Sequence, residues 1–131
     1  MTNLKQIEGV IQTYFDWMYQ SSTQKTHLVF HANANITGYL EGGLHETTVN
    51  DFASFVESQQ PSPKEKGEPI RLDILSIDIS SNTAVAQVRN DYLGMTFLDT
   101  LSFINLEHYN AARFWSILVI LALRSMLAFN L

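Results

Sequence analysis

The sequence predicts one α+β domain, with helices on one face of a strongly bent antiparallel sheet. Three observations predict it. Apolar residues recur at three- and four-residue steps near the start of the chain and at two-residue steps from Ile70 onward, the periods of a buried helix face and a buried strand face. The strand-like segments succeed one another with only short turn signals between them, as in a meander. One alternation slips phase, which a β-bulge explains and which bends a strand. At 131 residues the chain suits a single core.

Leu4, Ile7, Ile11, Tyr14, Phe15 and Met18 form one stripe, predicting a long first helix over about residues 3 to 21, with Asn3 and Gln6 as a capping-box start. "SSTQ" stops it, and "TQKTHLVFH" predicts a short second helix ending near His31. "ANITGYLEGGLHE" is β-prone, with Gly42-Gly43 permitting a reversal. Thr48 and Asp51 open a third helix whose stripe is Val49, Phe52, Ala53 and Val56 and which ends before Pro61. A polar, proline-punctuated loop, "QQPSPKEKGEP", separates it from "IRLDILSIDIS", "TAVAQVRNDYLG" and "MTFLDTLSFINLE", three strands divided by Ser81-Asn82 and Gly94. The set Ile70, Leu72, Ile74 passes to Leu75, Ile77, Ile79, which places the bulge near Leu75.

Composition excludes several functions. A net charge of −5 with eight Lys and Arg does not suit a surface that follows nucleic-acid phosphates. With no cysteines there are no disulfides, thiolate metal sites or cysteine nucleophiles. The N-terminal segment has neither a signal-peptide nor a transit-peptide pattern, so a cytoplasmic protein is expected. His27 and His31 have metal-ligand spacing on a helix, yet "HLVFH" lacks the Glu of a metalloprotease motif and no third ligand is evident, so no metal is expected. Gly42-Gly43 lacks the surroundings of a phosphate loop, and no cofactor pattern is present.

The sharpest anomaly is Asp99, which alternates with Met95, Phe97, Leu101 and Phe103 and so shares a face with four apolar side chains. In such a place a carboxyl's pKa rises, which makes it a candidate proton-transfer group near neutral pH. The plainer alternative is a structural carboxylate paired with Arg71 or Arg89 or held by backbone donors. Tyr14, in the middle of the first helix's apolar face, needs a partner for its hydroxyl. His31 suits either a ligand contact or the capping of backbone at the helix–strand junction. Tyr14, Trp17, Met18, Phe52, Phe55, Tyr92 and Phe97 supply surface that would clamp a flat ring, or equally would fill a core.

The element order, together with "YFDWMY", "VFHANANITGY" and "RLDILSIDISSNTAVAQVRNDYLGMTFLDTLSFI", resembles the nuclear transport factor 2-like (NTF2-like) superfamily, and within it the group named Putative lumazine-binding. The resemblance covers about residues 4 to 106 and is most specific from Arg71 to Ile104. It implies a cone: a bent sheet wrapped around the long helix, a small-ligand pocket inside, and a homodimer through the outer sheet face. It does not choose among a binder of an apolar or aromatic small molecule, an isomerase- or dehydratase-like enzyme using Asp99 with Tyr14 or His31, and an accessory module with a filled cone.

The chain closes on "RFWSILVILALRSMLAFNL". Arg113, Phe114 and Trp115 keep a version of the Arg-Trp pair that opens the last strand in relatives, and the continuation "LVILALRSMLAFNL" departs from their pattern. Arg124 interrupts the apolar run too early for a membrane span. Arg113 to Leu121 is expected to complete the sheet, with 122–131 either an apolar tail packed across a dimer or an atypical ending that replaces the family's own.

Overall fold

A computed structural model describes residues 2–40, 43–106 and 115–124. Its elements run α1 (Asn3–Tyr19), α2 (Thr26–Val29), β1 (Phe30–Leu40), β2 (Gly43–Thr48), α3 (Val49–Glu57), β3 (Leu72–Ser80), β4 (Thr83–Tyr92), β5 (Met95–Asn105) and β6 (Trp115–Arg124). The strands form one curved, unclosed sheet in the order β2-β1-β6-β5-β4-β3, and the helices pack on its concave side.

The first helix begins one residue earlier than the capping-box reading places it, because Thr2 is the cap: its hydroxyl accepts from the Lys5 N–H at 3.1 Å. It also stops sooner. Ser21 takes a left-handed φ of 50°, and the N–H groups of Ser21 and Ser22 close back onto the carbonyls of Met18 and Trp17, a Schellman ending. The Ser21 hydroxyl then donates to the Gln59 carbonyl at 2.7 Å, tying this corner to the segment after α3. Ile7, Ile11, Tyr14, Trp17 and Met18 are buried against the sheet, as the 3.6-residue period requires.

The predicted bulge is present: the β3–β4 register shifts between Ile74 and Ser76, leaving Leu75 as the extra residue. A second irregularity lies in β6, between Ile117 and Val119. Four of the pairings are antiparallel, but β1 and β6 are parallel, so the sheet is mixed where an antiparallel one was expected. That pairing joins segments far apart in sequence, and no local pattern announces it.

The last strand runs to Arg124, three residues beyond the expected end at Leu121. Ala122 pairs with Asp99 on one side and Gly38 on the other, so 122–124 are sheet where a tail was expected. Arg113, Phe114, Gly42 and residues 125–131 lie outside the described residues.

Candidate functional cavity

The concave face of β4 carries Ala84, Ala86, Val88, Asn90 and Tyr92, all buried. Beside the Asn90 and Tyr92 end of this face, between the sheet and α1, lies a cavity of about 440 Å³, within the usual range for small-molecule sites. Its floor is Tyr14 and Met18 from α1, Ile36 from β1, Asn90 from β4, Asp99 from β5 and Ile120 from β6. Tyr92, Leu93, Met95 and Phe97 form one side wall, where β4 turns into β5. At the rim stand His45 and Thr47 of β2 and Asp51, Phe52 and Phe55 of α3, Phe55 about half exposed.

Register explains the polar floor. Val88 opposes Asp99 and Asn90 opposes Phe97, so Asn90 and Asp99 are diagonal neighbours on one face. Asn90 Nδ2 donates to Asp99 Oδ2 at 2.9 Å, while Asp99 Oδ1 is buried without a hydrogen-bond partner among the described residues. Burial pushes the Asp99 carboxyl up to about 7, against the weaker, opposite pull of the Asn90 hydrogen bond. Tyr14 stays a neutral phenol, its pKa raised by burial first and then by the charges of Asp99 and Tyr92. Tyr92 is raised by burial and by Glu68, and its hydroxyl too is buried without a partner. Two phenols and one carboxyl thus face the same space in a nearly apolar setting.

Several expected residues sit together here: Asp99, Tyr14, Met18, Phe52, Phe55, Tyr92 and Phe97 all line the cavity. Trp17 does not. It is buried against α2, the start of β1 and α3, with its ring 5.4 Å from both Phe30 and Phe52 and its Nε1 donating to Thr26 Oγ1 at 3.0 Å. His31 is also outside, because α2 ends at Val29 and His31 falls on β1, where its Nδ1 accepts the Asn33 N–H at 3.0 Å. For the same reason His27 and His31 do not share a helix face, and no cluster suited to a metal ion occurs among the described residues. The expected arginine partners of Asp99 are placed elsewhere: Arg71 Nε holds Asp73 at 3.1 Å, and Arg89 lies on the other face of β4 from Asn90. Asn90 is absent from the expected set, although its place in the alternation Ala84, Ala86, Val88, Asn90 marks it as inward by the same reasoning that singles out Asp99.

The pattern defining the family described as Putative lumazine-binding matches residues 2–118. The chain belongs to this family. Comparison with curated proteins finds no match. Among solved structures, the fold is similar to an NTF2-like protein of unknown function from Silicibacter pomeroyi DSS-3, at 20% identity and a TM-score of 0.81 over 95% of this chain and 100% of that one. NTF2-like proteins of unknown function from Shewanella baltica OS155 (18% identity, TM-score 0.76, covering 95% and 98%) and Methylobacillus flagellatus KT (20%, 0.77, 93% and 91%) are similar in the same way. At such identities the likeness establishes the cone and nothing about its contents. No helix among the described residues is long and apolar enough to cross a membrane.

Proposed function

We propose that the protein binds a small molecule with an apolar or aromatic body in this cavity. The observation that carries it is the combination of an open, mostly apolar space of about 440 Å³ with two buried hydrogen-bonding atoms, Asp99 Oδ1 and Tyr92 Oη, that lack partners among the described residues. Such atoms are costly to leave unpaired, so a ligand bearing a hydroxyl or N–H beside a flat ring gains from satisfying them. A filled cone, the accessory-module alternative, has no use for this space. Titration with 2-naphthol tests the reading: the melting temperature rises with probe concentration by mass action in the native protein, and the rise is lost in Phe97→Ala/Tyr14→Ala. Equal shifts in both, or none in either, would defeat it.

A second reading is favoured by one observation, the Asp99 carboxyl held near neutrality inside an open cavity. Near pH 7 such a group exists in both forms, as a general base or acid requires. Asp99 would take a proton from carbon beside a carbonyl while the Tyr14 or Tyr92 hydroxyl donates to the forming oxyanion; His31 has no part in this, being outside the cavity. Deuterium uptake into 2-tetralone, catalysed by the native protein and lost in Asp99→Asn, is the expected result. Uptake unaffected by the substitution would exclude Asp99 as the base.

The same proposal includes a homodimer through the outer sheet face. Register places Leu98, Leu123, Tyr39 and Leu44 in one row across β5, β6, β1 and β2, and Tyr39, Leu44 and Leu123 are exposed. A continuous apolar row is what a second copy would cover. Sedimentation at micromolar concentration should give twice the chain mass.

A further inference from the structure

A second cavity, of about 480 Å³, adjoins the first. Tyr92, Leu93 and Met95 line both, so these three side chains form the wall between them. The wall is built from a two-residue hairpin turn in which Leu93 and Gly94 have φ of 53° and 77°. Positive φ at both positions is the type I′ geometry, which ordinarily selects Asn-Gly; leucine there is strained. What holds it is packing, since the Leu93 side chain lies against the hydrophobic core.

The two cavities differ in chemistry. The charged groups lining the second are Glu68 and Asp91, both acidic. Lys66 pairs with Glu68 at 3.1 Å, but across partly exposed side chains, where such a pair contributes little and yields readily. Asp91 Oδ1 accepts from Thr96 Oγ1 at 2.8 Å, and a carboxylate has further acceptor capacity. Tyr92 lines both cavities; its hydroxyl is buried, has no hydrogen-bond partner among the described residues, and lies near enough to Glu68 to feel its charge.

We infer that the turn at residues 92–95 is a partition within one two-chambered site, and that its ligand is elongated, with an apolar body in the main cavity and an amine or similar cationic donor beside Glu68 and Asp91. The inference rests on the reading of the main cavity as a ligand pocket. Tyr92 lies at the crossing, able to bond a ligand that passes the wall, and Leu93 sets how much chain can pass.

Calorimetry with four probes tests it: 2-naphthol, which has no tail, then phenylethylamine, phenylhexylamine and phenylhexanoate. The hexylamine should bind about tenfold tighter than the ethylamine, and tighter than the equally long carboxylate. In Glu68→Gln/Asp91→Asn the ratio between the two amines should fall toward one. Leu93→Gly, which suits the positive φ and thins the wall, should widen that ratio. If 2-naphthol binds but the long amine has no advantage over the short amine or the carboxylate, the two-chambered site is wrong and the main pocket stands. If neither 2-naphthol nor any tailed probe binds, both readings fall.

Discussion

On the concave side of β5, Asp99 is only 2% exposed among Leu101, Phe103 and Ile120, whereas on the convex side of the neighbouring strands Val85, Leu121 and Leu123 are each more than a third exposed. Both faces follow the two-residue period of a strand, and each breaks the expected sorting in the opposite direction: a charge-bearing group inside, apolar groups outside. The contrast teaches that the departures from pattern are not interchangeable. Inside, a misplaced polar group shifts its ionisation because water is excluded. Outside, a misplaced leucine alters little in the isolated chain, because solvent is there in both folded and unfolded states.

The largest effect belongs to Asp99 and pH. Its folded pKa of about 7 lies above the ordinary 3.8, so the folded protein holds a proton that the unfolded chain releases between those values. Stability is therefore fully present below about pH 4, declines as pH rises to about 7, and is flat with respect to this group beyond. At 1.36 kcal/mol per pH unit, the loss is on the order of 4 kcal/mol. Asp99→Asn should remove the slope and stabilise the protein at pH 8. Urea unfolding at several pH values measures it, and a native protein whose stability rises from pH 4 to 7 would show Asp99 to be a paired structural carboxylate.

Next comes the core beside it. Leu101 is fully buried, so Leu101→Ala should cost about 3 kcal/mol through lost transfer energy and a residual void. Val85→Ala, on the other face of the sheet, should cost under about 0.5 kcal/mol. Similar costs at both positions would erase the distinction between the faces.

How far the sequence discloses this arrangement depends on the range of each interaction. The α1 stripe, the bulge at Leu75 and the inward turn of Asp99 are legible because each is a periodicity within one segment. The end of α2 is less so: two residues of boundary error move His31 from a helix to a strand and out of reach of the cavity. The parallel β1–β6 pairing, and with it the placing of Ala122 beside Gly38 in the cavity wall, depends on contacts across most of the chain. Leu93 is illegible for a different reason: a Leu-Gly pair carries no type I′ signal, and only packing forces the turn.

A smaller effect belongs to the cavity floor. The Asn90 hydrogen bond lowers the Asp99 pKa against the stronger effect of burial. Asn90→Leu removes that donor and leaves Asp99 wholly dependent on the cavity, so its midpoint should move upward from about 7, followed by the carboxyl stretching band in infrared titration. A downward move would mean that water enters when Asn90 is removed, and that the floor is wetter than its lining implies.

The smallest change in folding energy, and the one that tests the convex face, is Leu123→Lys. Leu123 is 38% exposed and lies between Leu98 and Tyr39 in the sheet. A lysine at this position can lay its methylenes along the same row and keep its ammonium in water, so folding of the isolated chain should change by less than about 0.5 kcal/mol. Association is another matter. A second copy related by twofold symmetry would bring the same patch against itself, setting a new cation into an apolar contact and near its own symmetry mate. Sedimentation should then show the variant as a single chain under conditions in which the native protein is paired, with unfolding measured at high dilution unchanged. If the variant remains paired, the interface lies elsewhere and the apolar row on the convex face has another role; if it unfolds at high dilution, Leu123 belongs energetically to the core and the contrast between the two faces weakens at β6.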